Sequence, residues 1–409
     1  MTLSKLAESL AAPATLRLNA TAARLKAEGA PVIHLGGGEP ESPAPAAAVQ
    51  AARAMLDRGD VKYTATAGIP ALRQRVASYV EAEFGRPTTP AEVLVTAGAK
   101  PAIYAALVAV LDPGDEVVFP APFWVSYPEM VRLAGGVPVA VAGPDGSHEP
   151  RIQDMEAAVT ARTRMIILNS PNNPSGAVYS EAFVAGVMDL CERRGLFLLA
   201  DEIYRRLTFD GRIAPSAVRF ARDLGDEGRV ILVDGVSKMF GMTGFRVGWA
   251  VASRRIIEVM GNVIGQTMSC ASSLGQVAAL AALEKDTGYV EDLRRDLQGR
   301  RDTAVRELTA IPGLRLVPPS GTFYCLPDFR AFGADSTALA AFLLEHTRVV
   351  TVPGVDFGRE GHLRISYCGP AADVVEGIRR LRWALDPTSP REIQFGGAVH
   401  VRTWERPGA

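Results

Sequence analysis

Short apolar runs alternate with longer helix-like segments between about residues 92 and 252. Most of these runs are continuously apolar, which is typical of strands covered on both faces of a sheet. They predict strands at Glu92 to Thr96, Glu116 to Phe119, Val137 to Val141, Met165 to Asn169, Leu196 to Ala200, Val230 to Asp234 and Phe245 to Val251. Helical segments such as Lys100 to Leu111 and Glu181 to Arg194 separate them. This succession predicts an α/β fold with a mostly parallel, doubly wound sheet.

The alternation of strand-like and helix-like segments ends after Val263. Helical stretches follow, and then a short α+β pattern from about Gly313 to Leu385. That change predicts a second, smaller domain. The last residues are rich in Pro and Gly, and we expect them to form a disordered extension. The predicted division is an N-terminal arm packing with the small domain over 1–44, a large domain over 45–300, a small C-terminal domain over 301–386 and the extension over 387–409.

Composition narrows the class of protein. The 409 residues are 48% hydrophobic and 22% charged, so the chain can bury a large core. The 44 Lys and Arg against 45 Asp and Glu give a net charge of −1. Without a block of basic residues, this balance argues against a nucleic-acid partner and against a polybasic membrane anchor. The apolar runs are too short to span a bilayer and no signal peptide is visible, so we expect a cytoplasmic protein.

The cysteines lie far apart in the sequence, at Cys191, Cys270, Cys325 and Cys368. None of them forms a paired spacing, and only five histidines accompany them. We therefore predict neither a disulfide framework nor a metal site.

Polar residues follow the carboxyl ends of the predicted strands, where ligands bind in an open α/β sheet. These segments are Ala97 to Lys100, Ala121 to Trp124, Asn169 to Gly176, Asp201 to Tyr204 and Ser237-Lys238, with Gly244 to Arg246 downstream. Small residues that open a helix, as at Gly98-Ala99, expose N–H groups to which a phosphate can dock. An ordinary strand-to-helix turn is the alternative interpretation there. Trp124 is likewise either a core aromatic or a platform for a ring.

Charged residues within apolar segments are stronger candidates for functional residues than the small residues and Trp124. Asp201 closes the run GLFLLA, where an unpaired carboxylate would be costly, so it needs a protonated heteroaromatic nitrogen or an arginine as its partner. The apolar and glycine neighbours of Lys238 could lower its pKa and leave a nucleophilic amine, although a lone lysine is usually a solvated charge. Arg246 could bind a phosphate or form a structural ion pair. Arg364 stands in the alternating strand HLRISY, where a surface arginine is the ordinary interpretation.

One chemistry uses all of these features together, because pyridoxal phosphate needs a phosphate cradle, a stacking ring, a carboxylate for its pyridinium and a lysine. The chain resembles the fold-type I pyridoxal-phosphate aminotransferases, in the class that includes the aspartate aminotransferases. The resemblance runs from about Thr15 to Leu385 and implies a seven-stranded sheet with helices on both faces and a smaller α+β domain. It rests on the motifs YTATAGIPALR, FWVSYPEMV, NSPNNPSGAVY, LLADEIYRRL, VDGVSKMFGMTGFRVGWA, PSGTFY and GHLRISY.

The resemblance implies a catalytic set of Lys238, Asp201 and Tyr204. Lys238 is expected to form the Schiff base with the cofactor and to carry the Cα proton, and Asp201 to keep the pyridine nitrogen protonated. Tyr204 and Asn173 are expected to hydrogen-bond the phenolic oxygen. The remaining expected cofactor contacts are the backbone of Gly98 and Ala99 with Ser237 and Arg246 at the phosphate, Trp124 on the ring, and the neighbouring Lys100.

The resemblance also implies a homodimer with shared active sites, because Tyr63 matches a tyrosine that reaches the phosphate of the neighbouring subunit's cofactor. Gly38 and Arg364 match the positions that bind the substrate α-carboxylate, with Trp124 and Asn173 beside the substrate. Thr15 and Lys100 match a subgroup of aspartate aminotransferases that uses these two residue types to bind the distal carboxylate.

The expected activity is therefore a ping-pong transfer from aspartate or glutamate to a 2-oxo acid such as 2-oxoglutarate. The sequence departs from the family at EPESP, where an Asp-Phe pair is common, and at NNPSG in place of NNPTG. One alternative keeps the cofactor but uses aromatic, prephenate-type or small neutral substrates, or acts as a lyase, with Phe323, Tyr324 and Phe357 lining an apolar pocket. A DNA-binding regulator is disfavoured, since the residues before Gly38 are expected to hold one helix at most.

Overall fold

The computed structural model describes residues 3–10, 14–223 and 225–403, with the side chains of residues 9 and 14–19 outside the described part. The helices are α1 Lys5–Ser9, α2 Ala14–Ala27, α3 Ala46–Arg58, α4 Pro70–Phe84, α5 Ala99–Val110, α6 Ser126–Leu133, α7 Ile152–Ala157, α8 Glu181–Arg194, α9 Val236–Met239, α10 Arg254–Thr267, α11 Ser273–Glu284, α12 Tyr289–Thr309, α13 Ser336–Thr347 and α14 Ala371–Leu385. The strands are β1 Ile33–His34, β2 Val93–Thr96, β3 Glu116–Ala121, β4 Val137–Ala142, β5 Thr163–Asn169, β6 Phe197–Asp201, β7 Val230–Gly235, β8 Gly248–Val251, β9 Tyr324–Cys325, β10 Val349–Val350, β11 Val352–Pro353, β12 Leu363–Ser366, β13 Glu392–Phe395 and β14 Ala398–Val401.

A seven-stranded sheet forms the centre of the fold, in the order β2-β8-β7-β6-β5-β3-β4. Strand β8 is antiparallel to both of its neighbours, and the other pairings are parallel. The mostly parallel α/β sheet expected from the apolar runs is confirmed. The carboxyl ends of β2, β5, β6 and β7 lie at one edge of this sheet, and the polar segments noted above follow them.

The apolar runs are continuous because successive side chains enter two different cores. Leu198 and Ala200 of β6 pack on one face with helices α4, α8 and α11, whereas Leu199 between them packs on the other face with α5, α6 and α10. Strand β4 is the exception, because it lies at the edge and most of its residues are partly or fully exposed.

Strand β8, the last of the strands predicted for the sheet, begins later than expected. It starts at Gly248 rather than Phe245, because Thr243–Phe245 forms a 3₁₀ turn and Arg246 adopts a positive φ of 55°. A residue with positive φ cannot continue a regular strand, so the chain turns there and presents the Arg246 side chain at the sheet edge.

A second hydrophobic cluster lies outside the sheet, around α12, α13, α14 and the strands β9 and β12. Helix α12 runs unbroken through residue 300, and its side chains from Leu293 to Leu308 belong to this cluster. Strand β1 pairs in parallel with β10, with Ile33 opposite Val349, so the N-terminal segment joins the same part of the molecule.

The expectation of a disordered tail is wrong for residues 392–401. Strands β13 and β14 form a hairpin around Gly396-Gly397, both of which have the positive φ that a two-residue hairpin turn requires. Ile393 and Phe395 are buried in the second cluster. The Arg402 guanidinium donates hydrogen bonds to four carbonyl groups between Trp383 and Ser389. The alternating apolar side chains therefore give the tail a surface on which to pack.

The expectation of one helix at most before Gly38 is also wrong, because α1 and α2 both precede it. The side chain of Ser4 accepts a hydrogen bond from the Ala7 N–H and so caps the short α1. Within the part of the chain that the structure describes, no helix has both the length and the apolar character needed to cross a membrane.

Candidate active site

A cavity of about 720 Å³ lies at the carboxyl ends of the sheet strands, against the small sheet β11-β12-β9 and the segment after β1. Eleven of the residues that the family resemblance assigns to cofactor or substrate line it: Gly38, Ala99, Lys100, Trp124, Asn173, Asp201, Tyr204, Ser237, Lys238, Arg246 and Arg364. These residues are separated by up to 326 positions in the chain, so the fold brings them together.

Lys238 lies on the short helix α9, directly after β7. Its amine donates a hydrogen bond of 2.6 Å to the Gly38 carbonyl and lies 5.8 Å and 5.6 Å from the ring centroids of Tyr204 and Phe323. The surrounding protein desolvates the amine and lowers the pKa of Lys238 to about 8. A neutral, nucleophilic amine is therefore accessible near physiological pH.

Asp201 is the last residue of β6 and is buried. The Tyr127 hydroxyl donates a hydrogen bond of 2.6 Å to its Oδ2, and the Ile203 N–H makes a longer one of 3.4 Å to Oδ1. Burial raises the pKa of Asp201 to about 6, although these hydrogen bonds and the Lys238 charge oppose that shift. Oδ1 thus has only a weak donor within the protein and can accept a stronger one from a ligand.

Small residues and an arginine meet at the start of α5. Gly98 caps this helix with a positive φ of 97°, and a Cβ atom there would lie 2.6 Å from Nη2 of Arg246. Arg246 donates hydrogen bonds to the carbonyl groups of Thr243 and Ala97, and the Ser237 side chain lies at the same side of the cavity. The free N–H groups of the helix start and the guanidinium together favour an anionic group here.

Two phenols and an amide line the cavity between Asp201 and Arg364. Tyr204 hydrogen-bonds Tyr324, and burial raises the pKa of Tyr204 well above its usual value. The Asn173 N–H donates to the Asn169 side chain, whose amide donates in turn to the Asp201 carbonyl. These bonds hold Asn173 against the end of the sheet.

Arg364 is buried on β12, not on the surface. Its guanidinium donates to the Asn173 side chain at 3.1 Å and to the Gly36 carbonyl at 2.9 Å, and it lies over the rings of Tyr324 and Phe357. Its Nε has no partner among the described residues. A buried cation without a carboxylate partner that also lines a cavity is suited to binding an anionic ligand.

Lys100 stands in the first turn of α5, with its amine 4.8 Å from the centroid of the Trp124 ring. Burial, and then the positive charge of Arg246, lowers the pKa of Lys100. Thr15 belongs to α2, but its side chain lies outside the described residues. Tyr63 is 88% exposed and does not line the cavity within this chain. Gly98 is not among the residues that line the cavity.

The apolar-pocket alternative needs a correction. Tyr324 lines the cavity, whereas Phe323 and Phe357 are fully buried and do not line it. Phe357 packs instead against Arg364, and Phe323 against Tyr204.

Other lining residues were missed from the sequence: Lys26, His34, Glu39, Glu41, Asn169, Thr243 and Cys368. The Thr243 hydroxyl donates to the Glu39 carboxylate and so connects the segment after β1 to the turn before Arg246. Tyr127 was missed as well, although it stands in the quoted motif FWVSYPEMV. Within the part of the chain described, no group of three or more His, Cys, Asp and Glu is arranged to hold a metal ion.

Known proteins share this architecture. Residues 30–381 match the family model of aminotransferase class I and II. A probable aspartate/prephenate aminotransferase of Aquifex aeolicus is 38% identical over 379 residues, which cover 91% of this chain and 95% of that protein. An aspartate aminotransferase of Streptomyces avermitilis is 39% identical over 383 residues, covering 91% and 93%. The structure of aspartate aminotransferase from Thermus thermophilus with maleate superposes with a TM-score of 0.89 at 38% identity, over 93% of this chain and 99% of that one.

Proposed function

We propose that this chain, which belongs to the class I and II aminotransferases, transfers the amino group of aspartate or glutamate to a 2-oxo acid such as 2-oxoglutarate. The family membership confirms the resemblance inferred from the motifs: the chain is a pyridoxal-phosphate-dependent aminotransferase of amino acids and 2-oxo acids. The choice of an acidic substrate is supported by one observation. The Lys238 amine and the Asp201 carboxylate share one cavity with further cations, among them Arg364 and Lys100.

The cavity residues fit pyridoxal phosphate. The side chain of Arg246 fills the space that a Cβ at Gly98 would take, so the glycine lets the guanidinium approach the start of α5, where a phosphate would be favoured. The buried Asp201 has a weakly bonded oxygen that suits the protonated pyridine nitrogen. Trp124 provides a flat face for the ring.

Bound pyridoxal phosphate supplies an aldehyde that condenses with amines and a ring that withdraws electrons. In the proposed mechanism, Lys238 Nζ would hold the cofactor through its aldehyde carbon. Once the substrate amine has displaced it, Nζ would move the proton from the substrate Cα to that carbon, as its pKa of about 8 allows. Asp201 keeps the ring nitrogen protonated, which makes proton removal easier. Tyr204 and Asn173 donate hydrogen bonds to the phenolic oxygen.

Two cations are proposed to bind a dicarboxylic substrate. Arg364, with the backbone at Gly38, binds the α-carboxylate as a bidentate partner. Lys100 binds the distal carboxylate with the help of Thr15. Support comes from the buried Arg364 guanidinium, which has no acidic partner among the described residues, and from the Lys100 amine, whose location at a helix start is unfavourable unless an anion is bound nearby.

We further propose a homodimer in which Tyr63 of each chain completes the site of the other. Support comes from the exposure of Tyr63, which is 88% accessible within one chain and so is free to reach a second one. Light scattering is expected to give twice the mass of one chain, and a monomer at assay concentrations would contradict the proposal.

The test mixes holoenzyme with one amino acid and no acceptor, and follows the absorbance of the cofactor. Aspartate and glutamate are expected to convert it fully to the amine form, and failure of both would disprove the acidic preference.

Lys100→Ala is expected to lower kcat/KM for aspartate about tenfold or more, with little change for phenylalanine. Lys26→Ala is the control, since it removes another lysine from the same cavity without a contact to Trp124.

Prephenate is a second candidate acceptor. The cavity volume of about 720 Å³ lies in the upper part of the usual range of roughly 300–1,000 Å³ for small-molecule sites. The names of the Aquifex aeolicus relative and of one from Thermus thermophilus include prephenate. Turnover of aspartate with prephenate in place of 2-oxoglutarate tests this directly.

A further inference from the structure

The segment after β1 carries three consecutive glycines, Gly36 to Gly38, into the cavity. Glycine has the largest backbone freedom of any residue, so this segment keeps one conformation only if other groups hold it. Upstream, the backbone is held by the neighbouring strands, with the Leu35 N–H donating to Val350 and the Leu35 carbonyl accepting from Ser366. These backbone pairings with the strands end at Leu35.

Beyond Leu35, the side chain of His34 contacts the backbone. The Gly36 N–H donates a hydrogen bond of 3.2 Å to Nδ1 of His34, and the Gly36 carbonyl accepts one of 2.9 Å from Nη2 of Arg364. The imidazole and the guanidinium are thus bound to the two sides of one residue. A Cβ at Gly36 would lie 3.2 Å from Cε1 of His34, so the ring also packs directly on the glycine.

The ionisation of His34 is consistent with an acceptor at Nδ1. Burial lowers the pKa of His34. A hydrogen bond to its own backbone opposes this shift, and the charges of Lys26 and Arg364 add to it, so the net effect favours the neutral ring. Because Nδ1 accepts from Gly36, the proton of the neutral ring is on Nε2. That atom is buried and has no partner among the described residues. A buried donor without an acceptor is unfavourable, so stability alone does not account for the ring.

We propose that His34 is a positioning residue for the substrate carboxylate, because its Nδ1 holds the N–H of Gly36 and so fixes the place of this glycine, whose carbonyl on the other side aims the Arg364 guanidinium into the cavity. The inference rests on the proposed function, in which Arg364 binds the α-carboxylate. In this proposal His34 acts through Gly36 and Arg364. Its removal therefore weakens carboxylate binding and leaves the chemistry at Lys238 unchanged.

Two amide variants separate the roles of the ring nitrogens. The Oδ1 of asparagine lies close to the position of Nδ1 and accepts a hydrogen bond, whereas glutamine carries its oxygen near the position of Nε2. In holoenzyme, His34→Asn is expected to bind maleate, a dicarboxylate without an amino group, with nearly wild-type affinity. His34→Gln is expected to bind it about tenfold more weakly. Calorimetry measures both dissociation constants, and thermal unfolding of each variant checks that it is folded.

In the steady state, His34→Gln is expected to raise KM for aspartate about tenfold and to change kcat less than about twofold. The cofactor absorbance of both variants should match the wild type. Equal maleate affinity in wild type and His34→Gln overturns the proposal, as does an equal loss in both variants. An Arg364→Lys variant separates a failure of the proposed function from a failure of the inference about His34. Unchanged maleate binding in Arg364→Lys would disprove the role of Arg364 itself. Weaker binding in Arg364→Lys with no loss in His34→Gln would disprove only the role of His34.

Discussion

The two walls of the cavity are built differently. The sheet wall consists of Asn173, Asp201, Ser237 and Lys238, which lie at or after the carboxyl ends of buried strands. In this wall Asp201 is bonded to Tyr127, and Asn173 to Asn169. The N-terminal wall consists of residues 34–39, which begin at the end of a two-residue strand and contain three glycines. Catalytic groups need fixed positions, whereas a segment that adapts to a substrate needs freedom.

The contacts that hold each wall reflect this difference. Asp201 of the sheet wall is held by its strand and by Tyr127. The N-terminal wall beyond Leu35 is held by side chains: Gly36 by His34 and Arg364, Gly38 by Lys238, and Glu39 by Thr243. We therefore expect changes in the sheet wall to act on the chemical step, and changes in the N-terminal wall to act on substrate binding.

The largest effect is expected for Lys238→Ala. Loss of the nucleophile and proton carrier should lower kcat/KM by more than about 10⁴-fold. Borohydride reduction followed by mass spectrometry should label residue 238 in the wild type and leave the variant without a label. Colourless wild-type protein after incubation with the cofactor, or a label elsewhere, would refute the assignment of Lys238.

The next effect concerns Asp201→Asn, which removes the charge but keeps the shape. We expect kcat to fall roughly 10²–10³-fold, because the amide cannot hold the ring nitrogen protonated. Tyr127→Phe is the matched control: it removes only the hydrogen bond to Oδ2 and should cost about tenfold or less. Stopped-flow kinetics with aspartate measure both variants. An Asp201→Asn enzyme as fast as Tyr127→Phe would show that the charge is not needed.

Attachment of the cofactor to apoprotein should depend on pH through Lys238. Its lowered pKa of about 8 means that the neutral amine, the reactive form, increases about tenfold per pH unit below 8 and levels off above it. The rate of covalent attachment should therefore rise roughly 50-fold between pH 6 and pH 8. A rate that continues to rise to pH 10 would mean that the amine keeps an ordinary lysine pKa.

The sequence predicted the sheet wall better than the N-terminal wall, for physical reasons. Strand β6 is a continuous apolar run that ends in a carboxylate, so Asp201 was recognised from local pattern. Tyr127 bonds to it across 74 positions, and only the tertiary fold defines that contact. The role of His34 depends on Arg364, which is 330 positions away. No periodicity in a two-residue strand predicts such a pairing.

The structure of the C-terminal tail, residues 392–401, also depends on contacts that the local sequence does not reveal. Its alternation covers only four residues, Glu392 to Phe395, so composition outweighed the strand pattern and suggested disorder. The burial of Phe395 depends on the surface that α14 and Pro31 provide. A short amphipathic strand becomes stable through its packing partner, which the local sequence does not contain.

The smallest effect on catalysis is expected for Phe395→Ala, which tests whether the tail supports the N-terminal wall. The Phe395 ring lies 4.1 Å from the Arg380 guanidinium, and Arg380 donates to the Pro31 carbonyl just before β1. Because the ring is buried, its loss should lower the free energy of unfolding by about 3 kcal/mol. Denaturant unfolding measures this, and the exposed Val399→Ala should change it by less than about 0.5 kcal/mol.

The effect of Phe395→Ala on function should follow the division between the walls. Arg380 also bonds Glu376, so Pro31 keeps most of its support and KM for aspartate should rise no more than about twofold. The cofactor absorbance and kcat should not change, because the contacts of Phe395 lead through Arg380 to Pro31 and the N-terminal wall. A fall in kcat with unchanged KM would mean that the tail acts on the sheet wall instead, and the two walls would then not be independent.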